Sequence, residues 1–292
     1  MNANENLKKG PSPFLDESAA HFASLYPRRT GMLTHQLSHH PLLRLDALAD
    51  AALRMNPAHV ECRGHATKNG EDFSALDRKD KNVGQIIRSI ESSNCWTMLR
   101  FVEQLPEYRE LLRETLANLE TKIMPQTGIL KDLRAYIFIS SPGTLTPFHF
   151  DPEYNILFQI KGRKQFSVFP PTAPYLSDPL HEHFHISGEN LLPWKSDFAL
   201  RGTCHDIGPG DAVYVPYKSP HWVKVGTEPS ISLSMTWRSR WSILQDDAYR
   251  MNAMLRKWGY APQSPAPWPQ RSIAKSYGWK IFNKTGLGGL LR

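Results

Sequence analysis

Thr146-Pro147-Phe148-His149-Phe150-Asp151 opens the run TPFHFDPEYNILFQIKGRKQFSVFPP (146–171), in which two side chains able to bind a metal stand two positions apart. On an extended strand, residues i and i+2 point to the same side, a few ångströms from each other, so His149 and Asp151 can share one small target. An isolated His-x-Asp is usually an ordinary polar pair at a strand end. The neighbours argue otherwise. A 2-His-1-carboxylate face leaves positions open on Fe(II) for a bidentate organic acid and dioxygen, and it needs one more ligand from a later strand. His221, which follows GDAVYVPYKSP (210–220), is the natural third. Thr146 lies three positions before His149, and Lys164 begins the strand after the next hairpin, from where it can reach back into the same pocket. A buried lysine costs too much without an anionic partner, and the distal carboxylate of 2-oxoglutarate would be one.

Working outward, residues 134–140, 155–160, 164–169, 212–216 and 230–237 alternate with a period of two and are broken by Pro or Gly, which predicts short strands. Lys161-Gly162-Arg163 reads as a tight hairpin turn. Such a succession predicts an antiparallel sandwich or barrel. On either side the period becomes helical. Leu42, Leu45, Leu48, Ala49, Ala52 and Leu53 share a face over 41–55, Val83–Ile90 gives a short helix, and Trp96–Val102 resembles a strand. Pro106 opens a strong helix with Tyr108, Leu111, Leu112, Thr115, Leu116 and Leu119 on one side. Ser242–Trp258 is a further helix. The expected organisation is a polar N-terminal arm (1–40), a helical part of the catalytic domain (41–132), a β-barrel (133–240) and a basic helical C-terminal region (241–292). The fold class is mainly β with flanking helices.

The chain has 292 residues, with 35 Lys plus Arg against 28 Asp plus Glu and a net charge of +7. No run approaches the ~18 apolar residues of a membrane span, and the N-terminus has no apolar signal-peptide core. Cys62, Cys95 and Cys204 lie far apart, which removes a disulfide scaffold and a zinc ribbon. A cytoplasmic protein with no membrane partner is expected. The positive charge is local: from Arg238 onward there are ten Lys or Arg against Asp246 and Asp247. Trp258, Trp268, Tyr277, Trp279 and Phe282 are interleaved with them, a pattern that can meet nucleic acid or an acidic partner. The preferred reading is a helical pair that packs these aromatics on the barrel. Ile243, Leu244, Met251, Met254 and Leu255 form an apolar stripe that a homodimer could use. His181, His183 and His185 alternate like a strand face and are read as a solvated loop.

The motifs in 146–171 and 210–223 resemble the JmjC-type Fe(II)/2-oxoglutarate oxygenases, above all the cupin-like hydroxylases that include the HIF asparaginyl hydroxylase and bacterial cupin-like proteins. The pattern T-P-x-H-x-D-x-x-x-N-(8)-K is met at Thr146, His149, Asp151, Asn155 and Lys164. The likeness is strong over 130–240. It implies a double-stranded β-helix (jelly-roll, cupin) barrel, and Fe(II) and 2-oxoglutarate as cofactors. By the same resemblance His149, Asp151 and His221 bind iron, and Thr146 and Lys164 take the distal carboxylate. Asn155 would sit near the chelating end, Tyr136 and Phe138 would line the pocket, and Trp237 would close its floor. Where the family has a second Asn two residues before that Trp, this chain has Met235, and Ser234 would serve instead after a register shift. The implied reaction is hydroxylation of a C–H bond in a protein side chain or small molecule, with release of succinate and CO2. An alternative from another class is a non-catalytic cupin-fold regulatory or binding protein that contacts its partner through the basic C-terminus. A cupin isomerase, or a dioxygenase without 2-oxoglutarate, would need three or four His ligands instead.

Overall fold

A computed structural model describes residues 13–64, 69 and 82–286. Its strands fall into two sheets. The large one holds β1 (Gly31–Thr34), β2 (Val60–Gly64), β3 (Cys95–Arg100), β4 (Leu130–Ser140), β6 (Tyr154–Lys161), β9 (Asp211–Val215) and β11 (Ser230–Ser239), in the order β1-β9-β6-β11-β4-β3-β2. The small one holds β5 (Leu145–His149), β7 (Lys164–Val168), β8 (Thr203–Ile207) and β10 (His221–Val225), in the order β5-β10-β7-β8. Every named pairing is antiparallel, and together the sheets make the jelly-roll architecture expected.

Alternation along the large sheet divides the protein into an outer core and an inner one. Ile137 and Ile139 on β4, Ile156 and Phe158 on β6, Tyr214 on β9, and Leu233, Met235 and Trp237 on β11 face outward. They pack against α1 (Asp16–Leu25), α2 (Leu45–Arg54), α3 (Val83–Arg88) and α4 (Pro106–Thr127). The intervening residues Leu157, Val213 and Val215 point inward and meet Phe166, Val168 and Val223 of the small sheet. A third cluster, with Phe148, Phe169 and Phe198 at its centre, covers the outside of the small sheet. The helix after Pro106 forms as expected, with the proline at its first turn, where no backbone N–H is needed. In the 161–163 turn, Gly162 has φ +70, and a Cβ there would collide with the Pro229 carbonyl.

Three expectations are corrected. Residues 1–12 lie outside the described part of the chain. Residues 13–40, expected as the rest of a polar arm, contain α1 and β1 and contribute Phe14, Phe22 and Leu33 to the main core. Phe22 is fully buried against Tyr26, Tyr214 and Trp237, and β1 pairs with β9. The segment at 181–185 is not a loop. It belongs to α5 (Asp178–Ser187), where His181 and His185, four apart, are buried, while His183 is exposed and bonds Glu189. In α6 (Arg240–Lys257), Leu244 and Met254 of the expected dimer stripe are buried, and Met251 packs on α7 (Ile273–Lys284) together with Trp279. Much of that stripe is thus spent within the chain. Among the described residues, no helix is long and apolar enough to cross a membrane.

Candidate metal centre and cosubstrate cavity

His149 ends β5 and His221 begins β10, and the two residues are directly paired across the antiparallel ladder. Their rings lie 4.3 Å apart. Asp151 follows two residues after His149, and one of its carboxylate oxygens is 3.6 Å from His221 Nε2. One ligand atom from each of the three residues lies within 4.8 Å of the others. Both imidazoles are oriented from behind. His149 Nδ1 donates to the Pro147 carbonyl at 2.7 Å, and His221 Nδ1 donates to the Ser219 carbonyl at 3.0 Å. Because a carbonyl can only accept, each ring carries its proton on Nδ1, which leaves the Nε2 lone pair for the shared centre. His221 also stacks on Phe166 at 5.2 Å. Burial, with the neighbouring His149, pushes His221 down to about 4, so it is the neutral imidazole a metal requires. The donor set and its geometry therefore fit a divalent first-row metal.

The three residues open onto a cavity of about 500 Å³ between the sheets. Of the other residues expected at the site, Thr146, Asn155, Lys164, Tyr136 and Phe138 all line it. Lys164 is buried, and burial brings its ammonium down to about 7. No carboxylate among the described residues lies within ion-pair distance of it. Its Nζ sits 6.0 Å over the Phe138 ring. A desolvated cation of this kind fits an anionic ligand. Ser234 donates its hydroxyl to Asn155 Oδ1 at 2.8 Å and itself lines the cavity, whereas Met235 faces the outer core. Ser234, and not Met235, therefore lines the wall where the family has its second asparagine.

Trp237 is the exception. It was expected to close the floor, yet it is fully buried on the opposite face of β11, stacked with Tyr26, Tyr154 and Tyr214. Strand parity explains this, since Ser234 and Thr236 face the cavity and an odd-numbered neighbour cannot. Sequence reading also missed Glu153. Burial and the nearby Asp151 charge raise its carboxyl to about 7. Asp151, Glu153 and Asn155 alternate on one side of the chain, and that spacing was the available signal. The rim includes Glu61, which pairs with Arg63 at 2.8 Å and Arg100 at 2.6 Å.

The profile of the cupin-like domain matches residues 39–241. The chain belongs to the cupin-like domain family. Cupin-like relatives agree with the JmjC-type resemblance. The chain is 29% identical over 113 residues to "Jumonji C domain-containing protein 5" of Drosophila melanogaster, covering 36% of this chain and 27% of that one. It is 28% identical over 143 residues to "Lysine-specific demethylase 8" of Danio rerio, covering 46% of this chain and 34% of that one. The matched region is thus about a third or less of these relatives' length. Among solved structures, the Escherichia coli ribosomal oxygenase YcfD in complex with cobalt and 2-oxoglutarate matches with a TM-score of 0.50 at 17% identity. That match covers 95% of this chain and 70% of YcfD, and at such low identity it speaks to the fold alone. The family and the jelly-roll fold expected from the motif are both borne out.

Proposed function

We propose that this cupin-like protein is an Fe(II)- and 2-oxoglutarate-dependent oxygenase that hydroxylates a C–H bond of a protein side chain or small molecule. The observation that carries the reading is one cavity holding both the His149, Asp151 and His221 face and, apart from it, the buried amine of Lys164, which an incoming carboxylate would hold charged. His149, Asp151 and His221 would hold the iron. Bound iron would supply the activation of dioxygen and the oxidising power for the C–H bond, with 2-oxoglutarate consumed to succinate and CO2. Lys164 and the Thr146 hydroxyl would receive the distal carboxylate, fixing the cosubstrate's direction along the cavity. Asn155, oriented by Ser234, would donate near the chelating end. Tyr136 and Phe138 would exclude water from the same wall, since both line the cavity from β4.

Anaerobic addition of Fe(II) and then 2-oxoglutarate should produce the weak visible charge-transfer band of the chelated cosubstrate. Extract treated with the wild type under air should contain products heavier by one oxygen, absent after treatment with His149→Ala. A wild type that gives neither band nor succinate overturns the proposal.

A further inference from the structure

His221 reaches the cavity on the loop Pro216–Pro220, and the anchorage of that loop lies outside the barrel. Lys218 has a left-handed backbone, φ +57, a conformation in which glycine sits freely and a lysine does not. Its side chain is buried, with Nζ 3.0 Å from Asp246 Oδ1 on α6 and 2.9 Å from His185 Nε2 on α5. The Asp246 carboxylate also accepts from the Tyr217 hydroxyl and from Arg238, and His185 Nε2 lies 3.3 Å from it. Burial alone would raise the Asp246 carboxyl, but the charge of Lys218, with His185 and Arg238, holds it well below the usual carboxylate range. Apolar packing does not hold the loop on every side. Pro216, Tyr217 and Lys218 line a second cavity of about 770 Å³, beside Trp241 and Tyr249. From this fixed point the chain runs to Ser219, whose carbonyl accepts the hydrogen bond from His221 Nδ1–H, and to Pro220, whose carbonyl accepts from the Phe169 N–H at 2.8 Å.

We propose that the Lys218–Asp246–His185 cluster is a positioning device for His221, which makes α5 and α6 working parts of the metal site. The inference rests on the reading of His149, Asp151 and His221 as ligands. None of the cluster residues lines the metal cavity; they act through the loop backbone and the Ser219 carbonyl. A charged cluster suits this task better than apolar contacts, because each bond fixes a direction as well as a distance. Its removal leaves the loop free to rotate the imidazole away from the line set by His149.

The full-length chain, titrated with Co(II) under nitrogen, tests this through affinity and the d–d absorption bands, which report coordination geometry. Asp246→Asn and Lys218→Met should each weaken Co(II) binding about 10–100-fold and shift the bands. Asp247→Asn is the control. Asp247 is also buried on α6 but bonds Ser276, Arg250 and Lys280, away from the loop. It should stay within about twofold of wild type, well short of the effect expected for an orienting partner. Should Asp246→Asn fail to fold, Tyr217→Phe, which removes one donor, must still move the bands. Wild-type affinity and spectrum in the folded cluster variants, or equal effects from Asp247→Asn, overturn the inference alone. A wild type that binds no Co(II) overturns the ligand reading as well.

Discussion

A lysine taken out of water without a counter-ion favours its neutral form, and burial moves Lys164 from an ordinary 10.5 down to about 7. Between those values the unfolded chain keeps the proton and the folded chain has released it. The penalty on stability is therefore full below about 7 and fades as pH rises toward 10.5. An incoming carboxylate reverses the balance by restoring the charge. Binding of 2-oxoglutarate near pH 8 should take up a proton, visible by calorimetry in two buffers of different ionisation enthalpy, and affinity should fall as pH rises further. Lys164→Met should abolish the uptake and raise the 2-oxoglutarate requirement about 10–100-fold, the equivalent of one charge-assisted hydrogen bond, while metal still binds. Asp151→Ala should instead abolish metal binding. Equal loss of metal in both variants would disprove the division of roles. Most residues at this scale that were legible in the sequence, Thr146, His149, Asp151, Asn155 and Lys164, share one motif, and His221 was legible from the Pro-bearing loop after a later strand. Glu153 was legible in principle through its spacing from Asp151 and Asn155; Ser234 was legible as a substitute, and parity alone puts it on the cavity wall. The Lys218–Asp246 contact was not, because nothing local in either segment refers to the other.

At the scale of elements, the long alternating runs that became β4, β6 and β11 were readable because each has one face in the outer core and the other in the cavity. β5 was legible only through the His149–Asp151 spacing, and it ends at His149; β10 was hidden by the ligand loop before it, and β1 by a length of only four residues. In α5, His181, His183 and His185 imitate a strand, and only tertiary packing shows that the 181/185 pair is the buried one. The sequence around α1 reads as an arm because the N-terminal segment is polar and Pro-containing overall, which masks the apolar face of Ala19, Phe22 and Leu25. Phe22→Ala tests its weight. Removal of a fully buried aromatic ring should cost about 3–5 kcal/mol in denaturant unfolding. A loss under about 1 kcal/mol, the size expected of an exposed site, would restore the arm. Gly162→Ala, which forces a side chain into a left-handed turn against Pro229, should cost about 1–3 kcal/mol by the same measurement.

For the whole molecule, the basic C-terminal region cannot be treated as an appendage. Arg238, Arg256 and Lys280 are paired with Asp246, Glu182 and Asp247, and Trp279 is buried on α6. A chain ended at Ser239 would lose Asp246 together with the α6 surface that covers Lys218, so the loop before His221 would lose both its ion pair and its packing. Such a truncation should show no cooperative thermal transition by circular dichroism; a sharp transition near that of the full chain would mean that the barrel stands without α6. The site is also graded across the large sheet. The small sheet and the turn after β5 carry His149, Asp151, His221, Thr146 and Lys164, and β4, β6 and β11 add Tyr136, Asn155 and Ser234, while β2 and β3 at the sheet's edge present Arg63, Met98 and Arg100. Inheritance can therefore treat that edge separately. A lineage drifting toward a new substrate can exchange residues on β2 and β3 while the proposed metal and cosubstrate residues are kept.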